Sequence, residues 1–381
     1  MPILEPPALS DEQRALRGTL RGLLTGQLPS AALHAMIGTE PGYSAELHAR
    51  LAAELGLAGL TIPEEFGGRG LSQAEASVVH TELGHALYPG PFLPSGLAAG
   101  VLLAATGDAA ASGPMTADGA AAASRWLPLL AAGSVTGTIA AADRDGRWSS
   151  GPGSVRAHLT PRGWRLYGSC WYVVAAHVAG IVVVSARAGA VPAMFLVEAG
   201  GPGCRVTAQR GLDLTRRTCV TTFDATPAVL LVQDHHAVAA LERAERDFLL
   251  ATAAEAVGGI GWCVDTAVLY AKDRNQSGRP AGSFQAVAHA CVEMIESFQA
   301  AEAAARYAAV GAAAGQAEAP AAARMAVLEA GQAYRTVTEA ASRLFGGIGF
   351  TWEHDAQLYY RRAWSAERLS GGPQTHRAAL G

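Results

Sequence analysis

Two features of this chain could do chemistry with a charged ligand: one arginine and a cluster of glycines. Arg274 stands at the end of a long apolar-periodic stretch, where its guanidinium could bind an anion through two hydrogen bonds or cap a helix C-terminus. Gly346, Gly347 and Gly349 follow another such stretch. Because they lack a Cβ, they let backbone N–H groups approach a phosphate or a ring, or they form an ordinary left-handed helix cap. Taken alone, these residue types leave both alternatives open.

The cysteines predict neither disulfide bonds nor a metal site. They are dispersed at Cys170, Cys204, Cys219, Cys263 and Cys291, without a CxxC pair. An odd, scattered set is typical of reduced, buried thiols in a cytoplasmic protein. We therefore expect no bound metal and a cytoplasmic location.

The overall composition argues against several classes of partner. Of the 381 residues, 29 are Lys or Arg and 33 are Asp or Glu, so the net charge is −4. A near-balanced charge gives no electrostatic attraction to nucleic acid, and 7% aromatic residues are few for base stacking. The first residues lack the pattern of a signal peptide, and the apolar stretches at 175–184 and 308–314 are too short or too rich in Gly and Ala to span a bilayer. We expect no nucleic-acid or membrane partner.

Three compositional zones follow one another, and we predict a domain for each. Residues 1–132 show apolar side chains at helical spacing and form a predicted N-terminal helical domain, with a structured turn at 60–72. Residues 133–233 replace that period with short β-branched runs, separated by Gly, Pro and Asp about every ten residues. We predict strands at 135–142, 163–174, 179–187, 193–199 and 228–232. This pattern is typical of a small antiparallel barrel or sandwich.

The third zone, residues 234–381, predicts a C-terminal four-helix bundle. Its helices are expected at 238–273, 283–314, 320–344 and 353–370, joined by short loops. The fold class is therefore α+β, in the order helices, strands, helices. This order is not a Rossmann alternation, and no GxGxxG lies at a strand-to-helix turn.

Four segments in this order resemble the acyl-CoA dehydrogenase family of FAD flavoproteins. They are GLAGLTIPEEFGGRGLSQAEASVVHTELGHAL at 56–87, GWRLYGSCWYVVAAHVAGIVVVSAR at 163–187, YAKDRNQSGRPAGSFQAVAH at 270–289 and LFGGIGFTWEHDAQLYYRRA at 344–363. The GGIGFTWEH spelling looks most like actinobacterial members that act on steroid or other bulky acyl thioesters. The resemblance covers nearly the whole chain and implies the family's fold: an N-terminal helical domain, a β-domain and a helical bundle.

The resemblance implies that the chain binds FAD. The residues that it places at the cofactor are Arg274, Gln285, Gly346, Gly347, Tyr172 and Arg343. Arg274 would reach the FAD of a neighbouring subunit, which implies an obligate oligomer, usually a dimer of dimers. Tyr172 would cover the flavin face, and Arg343 stands where the family has glutamine.

Several positions around the implied cofactor depart from the family pattern. Asp143 replaces a glutamate in the flavin-facing loop, and Val174 removes a hydroxyl donor near the flavin N5. Ser277 replaces the aromatic residue that stacks on adenine. These changes suggest relaxed or relocated chemistry.

The catalytic base that the resemblance implies is missing. The family removes the α proton of an acyl thioester with a glutamate while the flavin takes the β hydride. The family's two glutamate positions fall here on Ser370 and Phe248, and neither residue can act as an unassisted base. The weaker candidates nearby are Asp247, Glu367, Glu353 and His376.

Three functions stay open at this stage. The first is α,β-dehydrogenation of an acyl thioester of coenzyme A or a carrier protein, by a homodimer or tetramer or by the base-lacking subunit of a heteromer with a related chain. The second is a flavin-dependent monooxygenase reaction, which needs no carboxylate base. The third is a non-catalytic relative that keeps the fold.

Overall fold

The computed structural model describes residues 8–106, 116–148 and 155–381. Its N-terminal part consists of six helices, which are α1 (Asp11–Gln27), α2 (Ser30–Ile37), α3 (Ala45–Leu55), α4 (Gln73–His85), α5 (Phe92–Ala104) and α6 (Ala117–Ala131). Several begin at serine caps, because a serine hydroxyl satisfies an amide that the first turn leaves without a partner. Ser10 and Ser72 form capping boxes with Gln13 and Glu75.

The predicted turn at 60–72 is present and compact. It contains a short 3-10 helix at Glu64–Phe66, and its backbone folds back so that Arg69 donates to the carbonyl of Gly59. At Gly68 a Cβ would lie 1.9 Å from the carbonyl oxygen of Ile62, so only glycine fits there. The turn therefore depends on glycine for close backbone approach.

The middle of the chain is a small barrel. Its strands are β1 (Gly137–Ala140), β2 (Arg156–Thr160), β3 (Gly163–Val174), β4 (Ile181–Ala188), β5 (Val191–Glu198), β6 (Cys204–Ala208) and β7 (Thr218–Gln233). Pairings run from β2 to β3, β7, β5, β4 and back to β2, which closes the ring, while β1 adds to β4 and β6 to β7. Alternate residues point inward and form a separate core around Leu166, Val184 and Phe195.

Two pairings in the barrel are parallel, whereas the turn pattern predicts antiparallel ones. Both β1 and β2 run parallel to β4, and the other five pairings are antiparallel. The Gly, Pro and Asp residues indicate where strands end, but they do not indicate which strands become neighbours. Strands β2 and β6 were not among the predicted runs, and β7 begins at Thr218, well before the predicted run at 228–232.

The C-terminal part is helical. It contains α7 (Asp234–Asp273), α8 (Gln285–Ala313), α9 (Ala319–Phe345), α10 (Ala356–Leu369) and α11 (Gly372–Leu380), with a small hairpin of β8 (Asn275–Gln276) and β9 (Arg279–Pro280) between α7 and α8. The four predicted helices are present, and α11 is additional. Among the described residues α7 alone is long and apolar enough to cross a membrane, but 83% of its most apolar window is buried within the protein, as in a core helix.

The N-terminal and C-terminal helices share one hydrophobic core. Leu83 of α4, Val101 of α5, Ile260 of α7 and Val337 of α9 belong to a single buried cluster. Helices α4 and α7 approach closely at Gly258, where a Cβ would lie 1.9 Å from the carbonyl oxygen of Thr81. The division at residues 132 and 233 stays a prediction, since the first and third segments bury their apolar faces against each other.

Candidate active site

A cavity of about 500 Å³ lies where the barrel meets the helical part. Its walls come from the loop after β1, from Tyr172 on β3, from residues 209–218 and from the last turns of α10. A mostly apolar cavity of this size with a few polar groups is the usual form of a small-molecule site. It is the candidate active site of this chain.

Tyr172 reaches the cavity because the β3 strand bulges there. Pairing of β3 with β7 shifts register between Cys170 and Val173, and Tyr172 adopts φ +54°. A bulge breaks the alternation of a strand and turns one side chain out of the ladder. The structure therefore places the predicted flavin-covering residue in the cavity wall, where it is 38% exposed.

The loop after β1 is shaped by Asp143. Its Oδ1 accepts hydrogen bonds from the backbone N–H groups of Asp145 (2.9 Å) and Arg147 (3.0 Å), which is a local side-chain turn. The loop brings Asp145 into the cavity wall and returns so that Trp148 pairs with Ala142. Asp143 thus supports the loop through its backbone.

Trp148 and Phe248 fill the space beneath this cavity. Their rings stack with centroids 5.2 Å apart and an interplanar angle of 16°. Phe248, on α7, is 3% exposed. Together with Leu97 and Leu369 the two rings reduce the neighbouring void to about 20 Å³. One of the two positions that the resemblance assigns to a catalytic glutamate is therefore an aromatic core contact.

A buried ion network supports the cavity wall. The Arg362 guanidinium of α10, 3% exposed, binds Asp213 Oδ2 through Nε at 2.5 Å and Glu255 Oε2 through Nη1 at 3.3 Å. It also donates to the hydroxyl of Thr215 at 2.6 Å. Arg216 pairs with the same Glu255 carboxylate. Buried charges are tolerated when they are paired and hydrogen-bonded in this way.

The network fixes the protonation of Glu255. Burial alone would raise the pKa of this carboxyl, but Arg216, followed by His80 and Arg362, lowers it to about 2. Burial would lower the pKa of Arg362, and Asp213 and Glu255 raise it. Glu255 is therefore an ionised structural group that balances two arginines.

Besides Asp213 Oδ2, which is ion-paired with Arg362, three buried polar atoms of cavity-lining residues have no hydrogen-bond partner among the described residues. They are Arg216 Nη1, Trp364 Nε1 and Gln209 Oε1. A buried donor or acceptor without a partner costs about 1–3 kcal/mol, so native proteins rarely keep one unless something binds there. Two donors and one acceptor without partners thus belong to residues that line the cavity.

Ser370 and Glu367 do not line the cavity. Ser370 follows α10, is buried, and donates its hydroxyl to the carbonyl oxygen of Glu367 at 3.0 Å. The Glu367 carboxylate binds Arg335 Nη1 through both oxygens, at 3.0 and 3.2 Å. The Arg335 guanidinium in turn lies 3.9 Å over the Trp364 ring.

The remaining base candidates are also held elsewhere. Asp247 binds Arg246 Nη2 at 2.7 Å, and burial raises the pKa of its carboxyl against the lowering effect of Arg246. His376, on α11, is 2% exposed and lies 3.4 Å from Arg324 Nη1, while burial and Arg324 lower its pKa. Glu353 is exposed. None of the three is in the cavity wall.

The other predicted cofactor residues lie on the surface, away from this cavity. Arg274, Gln285, Arg343, Gly346 and Gly347 are all exposed, at the ends of α7 and α9 and the start of α8. Two of these helix ends are joined, because the Tyr270 hydroxyl donates to the Phe345 carbonyl at 3.4 Å and the two rings meet edge to face. Gly346 takes φ +69°, a conformation that glycine adopts without strain. These residues therefore form a surface that does not include the active-site cavity of the same chain.

Sequence reasoning missed the residues that shape the cavity. Trp148, Asp213, Arg216, Glu255 and Arg362 received no role from it. One signal was available: Glu255 is a lone charge inside the apolar run ATAAEAVGGIG, and a buried charge requires a partner. The sequence does not indicate that the partners are Arg216 and Arg362.

The architecture is shared with a solved acyl-CoA dehydrogenase. The structure of a variant of the Tcur3481-Tcur3483 steroid ACAD superposes with a TM-score of 0.84 at 27% identity, covering 97% of this chain and 97% of the other. Helices, a small barrel and further helices around one cavity thus define an acyl-CoA dehydrogenase fold.

Sequence comparisons identify the family directly. The acyl-CoA dehydrogenase N-terminal domain matches residues 10–134, and the acyl-CoA dehydrogenase C-terminal domain matches residues 249–381. Acyl-CoA dehydrogenase IpdE2 of Mycobacterium tuberculosis is 32% identical, over 97% of this chain and 96% of the relative. IpdE2 of Mycolicibacterium smegmatis is 30% identical, over 96% of each. The chain belongs to the acyl-CoA dehydrogenase family, and the predicted fold class and family are confirmed.

Proposed function

We propose that this chain is the flavin-holding subunit of a heteromeric acyl-thioester dehydrogenase, in which a related chain supplies the carboxylate that removes the α proton. One observation carries this proposal. The two positions that the resemblance assigns to the base hold Ser370 and Phe248, and Phe248 is stacked on Trp148 within the core.

The cavity wall fits the ring system of FAD. The pyrimidine edge of an isoalloxazine presents carbonyl oxygens and ring nitrogens as acceptors and one N–H as a donor. The Arg216 and Trp364 N–H groups and the Gln209 oxygen supply two donors and one acceptor of the complementary kind. Tyr172 adds an aromatic surface. Bound FAD would supply the oxidising ring that accepts the β hydride.

The residues of this chain would bind and orient the cofactor without removing the α proton themselves. The ion pair with Glu255 fixes the Arg216 guanidinium, and its Nη1 group stays available as a donor. Two carboxylates line the cavity, Asp145 and Asp213, and Asp213 is bound to Arg362. Asp145 lies on an exposed loop. We therefore assign the base to a carboxylate of the partner chain.

The surface that holds Arg274 and Gly346 suits a second role in such a complex. Its guanidinium and glycine backbone are exposed and suited to a pyrophosphate. We infer that they complete the cofactor site of the adjoining subunit. The oligomer would be a heteromer, and the relative named for two chains, Tcur3481-Tcur3483, supports that arrangement.

The substrate would be an acyl thioester, of coenzyme A in the first instance. A steroid-like or otherwise bulky acyl group is favoured, because that same relative is described as a steroid ACAD. The filled void beneath Trp148 leaves little room for such a group in this chain. The acyl group would therefore lie against the partner. The cytoplasmic location of this protein stays a prediction.

Purification with and without a related acyl-CoA dehydrogenase chain encoded beside it tests this function. We expect little turnover of acyl-CoA with an artificial electron acceptor by the chain alone. The complex should show a flavin spectrum and turn over, and replacing the base glutamate of the other chain with glutamine should abolish the rate.

Two outcomes would contradict the proposal. One is full activity of the isolated chain. The other is a complex that takes up no flavin. Oxygen consumption by the reduced flavoprotein, without acyl-CoA oxidation, would favour a monooxygenase instead.

A further inference from the structure

A second cavity of about 500 Å³ lies at the far end of the barrel. It is formed between α6 and strands β3, β5 and β7. Trp164 lines it, and Tyr172 of the active-site cavity is eight residues further along the same strand. At about 3.3 Å per residue, eight residues of strand span at most about 26 Å. We call this cavity the Trp164 groove, defined by Arg125, Trp126, Arg162, Trp164, Arg165 and Thr226.

Five charged residues line the groove, Arg125, Arg162 and Arg165 against Asp118 and Glu198, which leaves one net positive charge. Arg125 is compensated, since its Nη1 lies 3.3 Å from the Glu198 carboxylate and its guanidinium lies 4.5 Å over the Trp126 ring. Arg162 and Arg165 form no ion pair within the described parts of the chain. Arg165 reaches only the backbone carbonyl of Trp164, at 3.4 Å. Two guanidinium groups thus remain available to an anion.

The groove also offers aromatic surface. Trp164 is half-buried and packs edge to face on Phe195 at 5.4 Å, whereas Trp126 is only 9% exposed and lies under Arg125. An indole ring next to guanidinium groups is suited to a ligand that combines a flat ring with negative charge. A simple anion would not need the aromatic walls.

A buried hydroxyl provides an independent observation. Thr226 is 1% exposed, and its Oγ1 has no hydrogen-bond partner among the described residues. It lines the groove next to a bulge, where pairing of β7 with β3 shifts register and Ala225 takes φ +50°. Bulges occur preferentially beside binding sites, where they redirect a side chain. A ligand in the groove would give this hydroxyl a partner.

We propose that the Trp164 groove binds an adenine nucleotide of the adenosine diphosphate type. The base would lie against the Trp164 indole, and the diphosphate would bind Arg162 and Arg165 through paired hydrogen bonds. Thr226 would bond the base or the ribose. Free ADP and the ADP portion of coenzyme A share this chemistry. The site is independent of the active-site cavity and of the proposed dehydrogenase reaction.

Titration of the FAD-loaded protein with ADP tests the proposal, with tryptophan fluorescence and calorimetry as readouts. We expect saturable binding, and at least tenfold weaker binding of adenosine, which lacks phosphate, and of pyrophosphate, which lacks the ring. The R162A/R165A double variant should bind ADP at least tenfold more weakly. Arg156→Ala, an exposed arginine on β2 outside the groove, is the matched control and should leave binding unchanged.

Further measurements separate loss of the site from loss of the fold. Flavin absorbance and thermal unfolding of the double variant should match those of the wild type. Thr226→Val should weaken ADP binding and leave thermal unfolding unchanged. Coenzyme A that binds more tightly than ADP, with the same dependence on Arg162 and Arg165, would identify the coenzyme as the occupant. Absence of ADP binding at millimolar concentration, or binding that the double variant retains, would overturn the proposal, as would pyrophosphate binding as tightly as ADP.

Discussion

The indole of Trp148 stacks on the ring of Phe248, with centroids 5.2 Å apart. The contact joins the loop after β1 to helix α7, and it occupies a position where the family resemblance implies an acid–base residue. It converts that position into hydrophobic core.

Phe248→Ala should destabilise the fold by about 3–5 kcal/mol, because it removes a buried ring and leaves a cavity against Trp148. Urea unfolding of the flavin-loaded protein measures this free energy. Leu159→Ala, on a side chain that is 68% exposed, is the control and should change stability by less than about 0.5 kcal/mol. If Phe248→Ala lowers the free energy of unfolding no more than Leu159→Ala does, the stack does not stabilise the loop.

Glu255→Gln should be strongly destabilising at neutral pH. It leaves Arg216 and Arg362 buried without their shared carboxylate, at a cost of about 3–5 kcal/mol. Because the folded-state pKa of Glu255 is about 2, below the ordinary 4.5, its stabilising effect is present above pH 4.5 and is lost as the pH falls towards 2. The difference between wild type and variant should therefore shrink between pH 5 and pH 2. Glu54→Gln, on an exposed helix pair, should show no such pH dependence.

Trp364→Phe should weaken FAD binding about tenfold, because it removes the indole N–H and one hydrogen bond contributes about 1 kcal/mol, while the phenyl ring keeps an aromatic contact for Arg335. The dissociation constant is measured by quenching of flavin fluorescence. Trp262→Phe changes the same residue type in a stack on Tyr359, away from the cavity, and should keep wild-type affinity. Equal effects of the two variants would argue against flavin in this cavity.

Arg274→Ala should reduce flavin retention only in the assembled complex. Its side chain is exposed and lies away from the cavity of its own chain, so unfolding of the isolated chain should be unchanged. Gel filtration followed by the ratio of visible flavin absorbance to ultraviolet protein absorbance gives the occupancy. Lys272→Ala is an exposed neighbouring cation for comparison. If the Arg274→Ala complex retains all of its flavin, Arg274 does not bind the cofactor of the neighbouring subunit.

Asp145→Asn decides whether this chain has a base of its own. Asp145 lines the cavity, and it forms no ion pair with the described residues. If the other chain supplies the base, the variant complex should keep its turnover within about twofold of wild type. Loss of a general base costs roughly 10²–10⁴-fold in rate, so a fall of that size would assign the role to Asp145.

The order helices, barrel, helices could be read from the sequence because apolar period changes twice along the chain. The four long C-terminal helices were predicted for the same reason. Strand β7 was underestimated because Asp224 and Pro227 resemble turn signals, although the strand continues through a bulge at Ala225. Pairing of β1 and β2 with β4 was out of reach, since it depends on partners distant in the chain.

The candidate site was only partly accessible to sequence reasoning. The position of Tyr172 followed from a motif, and the structure places it in the cavity wall. The Trp148–Phe248 contact joins residues one hundred positions apart, and the pairing of Glu255 with Arg216 and Arg362 joins three separate elements. Local patterns carry no information on such contacts. The roles of Arg274 and Gly346 depend on a second subunit and stay predictions.

The buried charges of Asp213, Arg216, Glu255 and Arg362 tie a barrel loop to helices α7 and α10. Any motion that parted the barrel from these helices would break these buried ion pairs. The mouth of the active-site cavity therefore cannot widen by hinging of one unit against the other. A ligand would therefore enter past the exposed loop of Asp145, or it would bind when the neighbouring subunit assembles.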